Sequence, residues 1–366
     1  MDIRVERMAR LLTAYSINVQ PGDRVAIVSS PLAEDWVLAV YEQVLARGGH
    51  PIILMSPSGA EEIFYRVGSD AQLTFIDPVR EMLVDQFEGY INIRATANTR
   101  ELSAIDPQRQ AMHRKAMEPV MQRYMERGAA GEFKWNGTQY PTNAAAQDAD
   151  MSLRDYTNFV FQACHCDKDD PVAEWQRIHD EQEQVIAWLR GRDQVKVIGP
   201  NADLTLSIKD RVFVNSDGHN NMPSGEVFTG PVEDSATGWV RFTYPAVTGG
   251  REVTGIELKF EAGKVVEATA KKNAAYLLHM LDTDAGARYL GEFAIGTNFG
   301  IQQFTKNILF DEKIGGSFHM AVGAGYPETG SQNRSAIHWD MICDMRDGGE
   351  IWVDGDLLYQ NGKFVI

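Results

Sequence analysis

Cysteine is scarce in this chain of 366 residues: Cys164, Cys166 and Cys343 are the full complement. Three is an odd number and a small one for this length, so the sequence predicts a reducing compartment and no disulfide scaffold. Long apolar runs are missing as well. No stretch approaches the roughly 18 uncharged apolar residues that cross a bilayer, so neither a transmembrane helix nor a membrane partner is expected. The opening MDIRVERMARLLTAYSINVQ has charges scattered through it and no apolar core leading to a small-residue cleavage site. No signal peptide is expected, and the location is read as cytoplasmic. Positive charge is in short supply, with 35 Lys and Arg against 51 Asp and Glu and a net charge of −16. Nucleic acids need a concentrated basic face, so a nucleic-acid partner is not expected either. The loop after the first apolar run, Ser29-Ser30-Pro31-Leu32, carries neither GxGxxG nor GxxxxGK followed by Ser or Thr. A dinucleotide or P-loop site therefore has no support there.

The chain does have the means to build a core. It is 44% apolar and 23% charged, and chains of this length fold as roughly 100–200 residues per domain, here two. Val5, Met8, Leu11, Leu12 and Tyr15 recur at helical spacing. RVAIVS (24–29) and HPIILM (50–55) read as strands joined by a helix over 33–46, which is a βαβ unit and implies a parallel sheet. LTFID, YINIRA and a helix over 105–128 continue the α/β alternation. A helix over 171–190 and the strand QVKVIG (194–199) follow. Beyond residue 200 the texture changes to β-branched runs and turn glycines, with hairpin signals at Asp354-Gly355 and Asn361-Gly362. One helix interrupts at about 271–290. The sequence thus predicts an α/β N-terminal domain with a parallel sheet over 1–200 and a strand-rich α+β domain over 201–366.

Several polar groups sit in strand-like surroundings. In SAIHWDMIC, His338 and Asp340 are two apart, so a strand puts them on one face while Ile337, Trp339 and Met341 point into the core. Such a face is either a metal platform or the solvated side of an edge strand. His319 lies among apolar residues and glycines, where it is a core histidine or a ligand, and Tyr326 follows in a loop. Glu226 lies in the otherwise uncharged NNMPSGEVFTGP, and Glu292 opens the apolar EFAIG. A buried carboxylate needs a partner, whether metal, backbone or arginine. Cys164-His165-Cys166-Asp167 lacks the second cysteine pair of a closed zinc site. His179, Asp180, Glu181 and Glu183 read as the exposed face of a helix, and Asp311-Glu312-Lys313 as a turn.

Taken in order, NMPSGEVFTGP, ARYLGEFAIGTN, NILFDEKIGGSFHMAVGAGYP and SAIHWDMI resemble the signature blocks of the thermophilic aminopeptidases of the aminopeptidase T, aminopeptidase S and PepS type. The good match covers roughly 198–366, and the N-terminal half resembles the family in outline. The resemblance implies that the 201–366 domain is metal-binding and catalytic. It implies two adjacent divalent ions (zinc, cobalt or manganese) with Glu226, Glu292, His319, His338 and Asp340 as ligands and Glu292 as the bridge. It places Tyr326 beside the attacking water or the oxyanion, makes Glu292 or Glu226 the proton shuttle, and makes the protein a homodimer. The implied activity is release of N-terminal residues from peptides by metal-activated water. One departure is Gly225, which stands where relatives commonly carry an acidic residue; a specialised small-amide hydrolase would look the same at this level. The competing reading is a mononuclear non-haem iron ring-cleaving dioxygenase using His319, His338 and Asp340, which has no need of Glu226 and Glu292. A degenerate, non-catalytic binding protein is a third.

Overall fold

Arg24–Ser29 and His50–Met55 are strands paired in parallel and joined by the helix Glu34–Ala46. The helix buries Trp36, Val37, Val40 and Val44, and Val25, Ala26 and Ile27 are fully buried in the first strand. In the computed structural model, which describes residues 2–248 and 250–366, this unit seeds a five-stranded parallel sheet. Its order is 50–55, 24–29, 89–94, 134–139, 221–222. Helix Ile3–Arg10, continued by a π-helical turn over Leu11–Ser16, buries Val5, Met8, Leu11, Leu12 and Tyr15, as their spacing predicts. LTFID, however, is not a strand. Asp70–Leu73 is a short helix, and Asp77 caps the next one, Pro78–Gln86, by accepting from Val79 N at 2.9 Å. An aspartate before a proline is a helix start, and that local signal prevails over the apolar run.

The chain forms two compact units, residues 1–175 with 218–223, and residues 176–217 with 224–366. The boundary expected at residue 200 falls between the paired strands Gln194–Gly199 and Ala202–Ser207. The second unit holds an eight-stranded antiparallel sheet and a five-stranded one in the order 338–344, 317–323, 290–296, 226–229, 214–216. Both hairpin signals are two-residue turns, with Asp354, Gly355, Asn361 and Gly362 all at positive φ, as type I′ turns require. The helix expected over 271–290 is shorter, Ala274–Leu281. Beyond it Asp284 accepts from Gly286 N at 3.0 Å, an aspartate turn that competes with helix.

Strand periodicity divides the smaller sheet into two faces. Val227, Phe293, Ile295, Phe318, Met320, Val322, Trp339 and Met341 join Val195, Leu204, Leu258 and Ile351 in one core cluster. The alternate positions carry Glu226, Glu292, His319, His338 and Asp340. A register shift between Leu290 and Glu292 brings Glu292 opposite Ala321. Gly291 sits at that shift, where an added Cβ would lie 2.2 Å from Ala324 O and 2.5 Å from Gly323 O. Gly291→Ala is therefore expected to force the strands apart and cost about 1–3 kcal/mol, like other overpacked sites. Chemical denaturation checks this; a midpoint equal to that of the unaltered protein would contradict it.

Candidate metal centre

Five side chains from four strands meet on the face away from the core. His319 Nε2 lies 3.2 Å from Glu292 Oε1 and 3.3 Å from Glu226 Oε2. His338 Nε2 lies 3.4 Å from Glu292 Oε2 and 3.4 Å from Asp340 Oδ1. Most of the residues paired across from them are small: Ala294 faces His319, Ala321 faces Glu292 and Asp340, Gly296 faces Glu226, and Gly323 faces His338, while Ile342 flanks His319 on its other side. Small partners leave the space above the sheet to the polar side chains. Glu226, Glu292 and His319 are buried, whereas the His338 side chain keeps 27% of its surface exposed, so the cluster opens on that side. The Tyr326 ring is 5.2 Å from the His338 ring and 5.4 Å from Phe228. All five side chains expected to gather do so, with Tyr326 beside them.

The electrostatics ask for positive charge. His338 Nδ1 donates to Ala324 O at 2.7 Å, since a carbonyl only accepts. In the neutral ring Nε2 then turns a lone pair toward two carboxylate oxygens. Glu226 Oε2, Asp340 Oδ1 and His319 Nδ1 are buried and have no well-aligned hydrogen-bond partner among the described residues. Burial acts to lower both imidazoles, but the carboxylates prevail. Glu292 and Glu226 bring His319 up to about 9, and Asp340 and Glu292 bring His338 up to about 12. Burial pushes Glu292 and Asp340 upward, yet the imidazoles hold both below the ordinary carboxylate range. Oxygen and imidazole donors of this kind suit a divalent cation, which would supply the missing charge. Two donor trios are in place, Glu226 with Glu292 and His319, and Glu292 with His338 and Asp340.

Lys313 and Glu312, expected only as part of a turn, are also at this site. Lys313 is fully buried, with Nζ 3.5 Å from Glu226 Oε1 and an ion pair to Glu312. Glu312 forms a third donor group with His319 and Asp340. The available signal was a charged triplet between the apolar NILF and the strand SFHMAVG. His179 is half-buried and bonds to the buried Asp217 at 2.6 Å, rather than facing solvent, because the 214–216 strand brings Asp217 alongside its helix. Cys164, Cys166 and Cys343 are free and buried, and no donor trio among the described residues includes a cysteine.

A strand-borne cage of three carboxylates and two imidazoles has the donor set that a divalent cation takes. The sequence profile of the thermophilic metalloproteases, M29, matches residues 1–364, and the chain belongs to that family. It is thus a metallopeptidase, a hydrolase. Aminopeptidase 2 of Geobacillus stearothermophilus is 26% identical, over 94% of this chain and 92% of its own. Wild-type AmpT from Thermus thermophilus has the same fold, with a TM-score of 0.85 at 23% identity over 99% of both chains. The 2,5-dihydroxypyridine dioxygenase from Pseudomonas putida KT2440 shares the fold more distantly, with a TM-score of 0.63 at 14% identity over 99% of this chain and 96% of its own.

The raised imidazoles make a prediction for the metal-free protein. Their contribution to stability is complete below the unfolded value of 6.5 and is lost as pH rises, through about 9 for His319 and about 12 for His338. The lowered carboxyls of Glu292 and Asp340 contribute above the ordinary carboxylate range and lose that contribution as pH falls. Melting temperature after chelation should therefore be highest between about pH 5 and the histidine value and decline toward about pH 9. Cation affinity should rise over the same interval, because ligation requires neutral imidazoles. A melting temperature that climbs from neutral to alkaline pH would contradict the assignment.

Proposed function

We propose that the chain is a dinuclear metal-dependent aminopeptidase that releases N-terminal residues from peptides. The observation that carries this reading is the division of Glu292, whose Oε1 faces His319 at 3.2 Å and whose Oε2 faces His338 at 3.4 Å. One carboxylate thereby belongs to two donor trios, as a bridge between two ions must. Glu226, Glu292, His319, His338 and Asp340 would hold zinc, cobalt or manganese. When bound, two such ions polarise a carbonyl and make hydroxide available at neutral pH.

The chain's own groups supply the rest. An oxygen of Glu292 or Glu226 that no ion engages can take a proton from the attacking water and pass it to the leaving amine. Burial, reinforced by the nearby carboxylates, raises the Tyr326 phenol, which keeps its proton and can donate to the oxyanion of the tetrahedral intermediate. A substrate with a free N-terminal amine is in line with the aminopeptidase name of the Geobacillus relative. A mononuclear iron dioxygenase is less well supported, because among the described residues no donor trio contains both imidazoles. The three unpaired thiols fit a cytoplasmic location. The apolar side chains exposed on the first unit, Leu38, Ile63, Val67 and Phe75 among them, fit a homodimer.

Glu292→Gln is expected to lower turnover of aminoacyl p-nitroanilides by about 10³-fold while the circular dichroism of the native fold is retained. Tyr326→Phe should cost about 10²-fold, mainly in kcat. An unchanged rate for Glu292→Gln would remove the residue from the mechanism. Elemental analysis of the purified protein should find two equivalents of zinc, cobalt or manganese per chain, and a single equivalent of iron would favour the dioxygenase.

A further inference from the structure

Lys313 and Glu312 stand outside the five side chains of the cage, yet they touch it. The Lys313 side chain has 0% exposure, and an ammonium at that depth requires compensation. Its Nζ lies 3.5 Å from Glu226 Oε1 and is hydrogen-bonded to Glu312 Oε1. The other oxygen of Glu226 faces His319 at 3.3 Å. Glu312 is itself placed to bind a cation: one of its oxygens, a His319 nitrogen and an Asp340 oxygen lie within 4.8 Å of one another. The backbone fixes this pair. Lys313 N donates to Phe310 O at 3.1 Å, and Lys313 O accepts from Asn298 N at 3.1 Å. At Gly296 an added Cβ would lie 2.3 Å from Ile314 O, so only glycine lets the turn rest against its strand.

We propose that Lys313 is a positioning residue that withholds Glu312 from the cation set and turns one oxygen of Glu226 into it. With all four ionised, Glu226, Glu292, Asp340 and Glu312 would carry four negative charges between them, and four would fully neutralise two divalent ions. By holding Glu312, Lys313 leaves three carboxylates for the ions, which keeps a net positive charge to act on a carbonyl. The proposal rests on the metal-centre reading.

The test is calorimetric titration of the chelator-stripped protein with manganese or zinc, for the unaltered chain, Glu312→Gln, Lys313→Met and the double variant. Glu312→Gln alone should change cation affinity less than about threefold. Lys313→Met should tighten binding about tenfold, and adding Glu312→Gln to it should undo that gain, a strong non-additivity. Equal effects of Glu312→Gln in both backgrounds would mean that Lys313 acts only as a distant charge, and would overturn the proposal. A tenfold loss from Glu312→Gln alone would do the same, by making Glu312 an existing ligand. That second criterion still decides if Lys313→Met fails to fold. An unaltered protein that binds no cation would overturn the metal-centre reading itself, a result distinct from either of these.

Discussion

Glu226, Glu292 and Asp340, gathered on one face of a buried sheet, set the constraint that the rest of this unit answers. Carboxylates in such surroundings need opposite charge within a few ångströms, because burial otherwise drives them to take up protons. Two imidazoles and one ammonium are within reach, and all three act to hold the site together. The opposite face explains why the sheet can bear the strain. Phe293, Phe318, Met320 and Trp339 are anchored in a large apolar cluster, so the backbone beneath the polar side chains is fixed by packing. Ala294, Ala321, Gly296 and Gly323 then leave most of the space above the sheet to the polar side chains, with Ile342 beside His319.

Much of this could be read from residue order. Alternation in SAIHWDMI places His338 and Asp340 on one face with Trp339 and Met341 on the other, and the strand behaves so. Local turn chemistry gave both closing hairpins. Local signals were also where expectation failed. LTFID is apolar enough for a strand, but Asp77-Pro78 starts a helix instead. The helix after residue 271 stops early because Asp284, just beyond its end, accepts from the backbone. The meeting of Glu226 with His319 was legible only through resemblance. It depends on pairings between strands far apart in the chain, and no periodicity reports those.

Lys313 shows a different limit. Asp311 of its triplet ends the short helix Ile308–Asp311, and Glu312 and Lys313 form the turn that follows; charged turns usually face water. Here each charge has an inward partner. Asp311 accepts from Thr305 N at 2.7 Å and Thr305 Oγ1 at 2.8 Å, while Glu312 and Lys313 hold each other beside Glu226. What separates such a turn from a solvated one is the glycine that admits it. Gly296 removes the side chain that would otherwise hold the turn off the strand.

The shared fold of a peptidase and a ring-cleaving dioxygenase places the burden of function on the site. Two histidines and one aspartate on adjacent strands suffice for a facial triad. The step to a two-ion site requires a carboxylate that can face both imidazoles at once, and a further one on the far strand. Under the proposed dinuclear reading, Glu292, lifted into place by the register shift beside Gly291, would meet the first need and Glu226 the second. Gly225 sharpens the point. Its φ of +112° and the Asn298 Cβ 2.7 Å from where its own Cβ would stand leave no room for another acidic side chain before Glu226. In the proposed arrangement the charge of this centre is adjusted instead by the Glu312–Lys313 turn, whose ammonium and carboxylate both reach it.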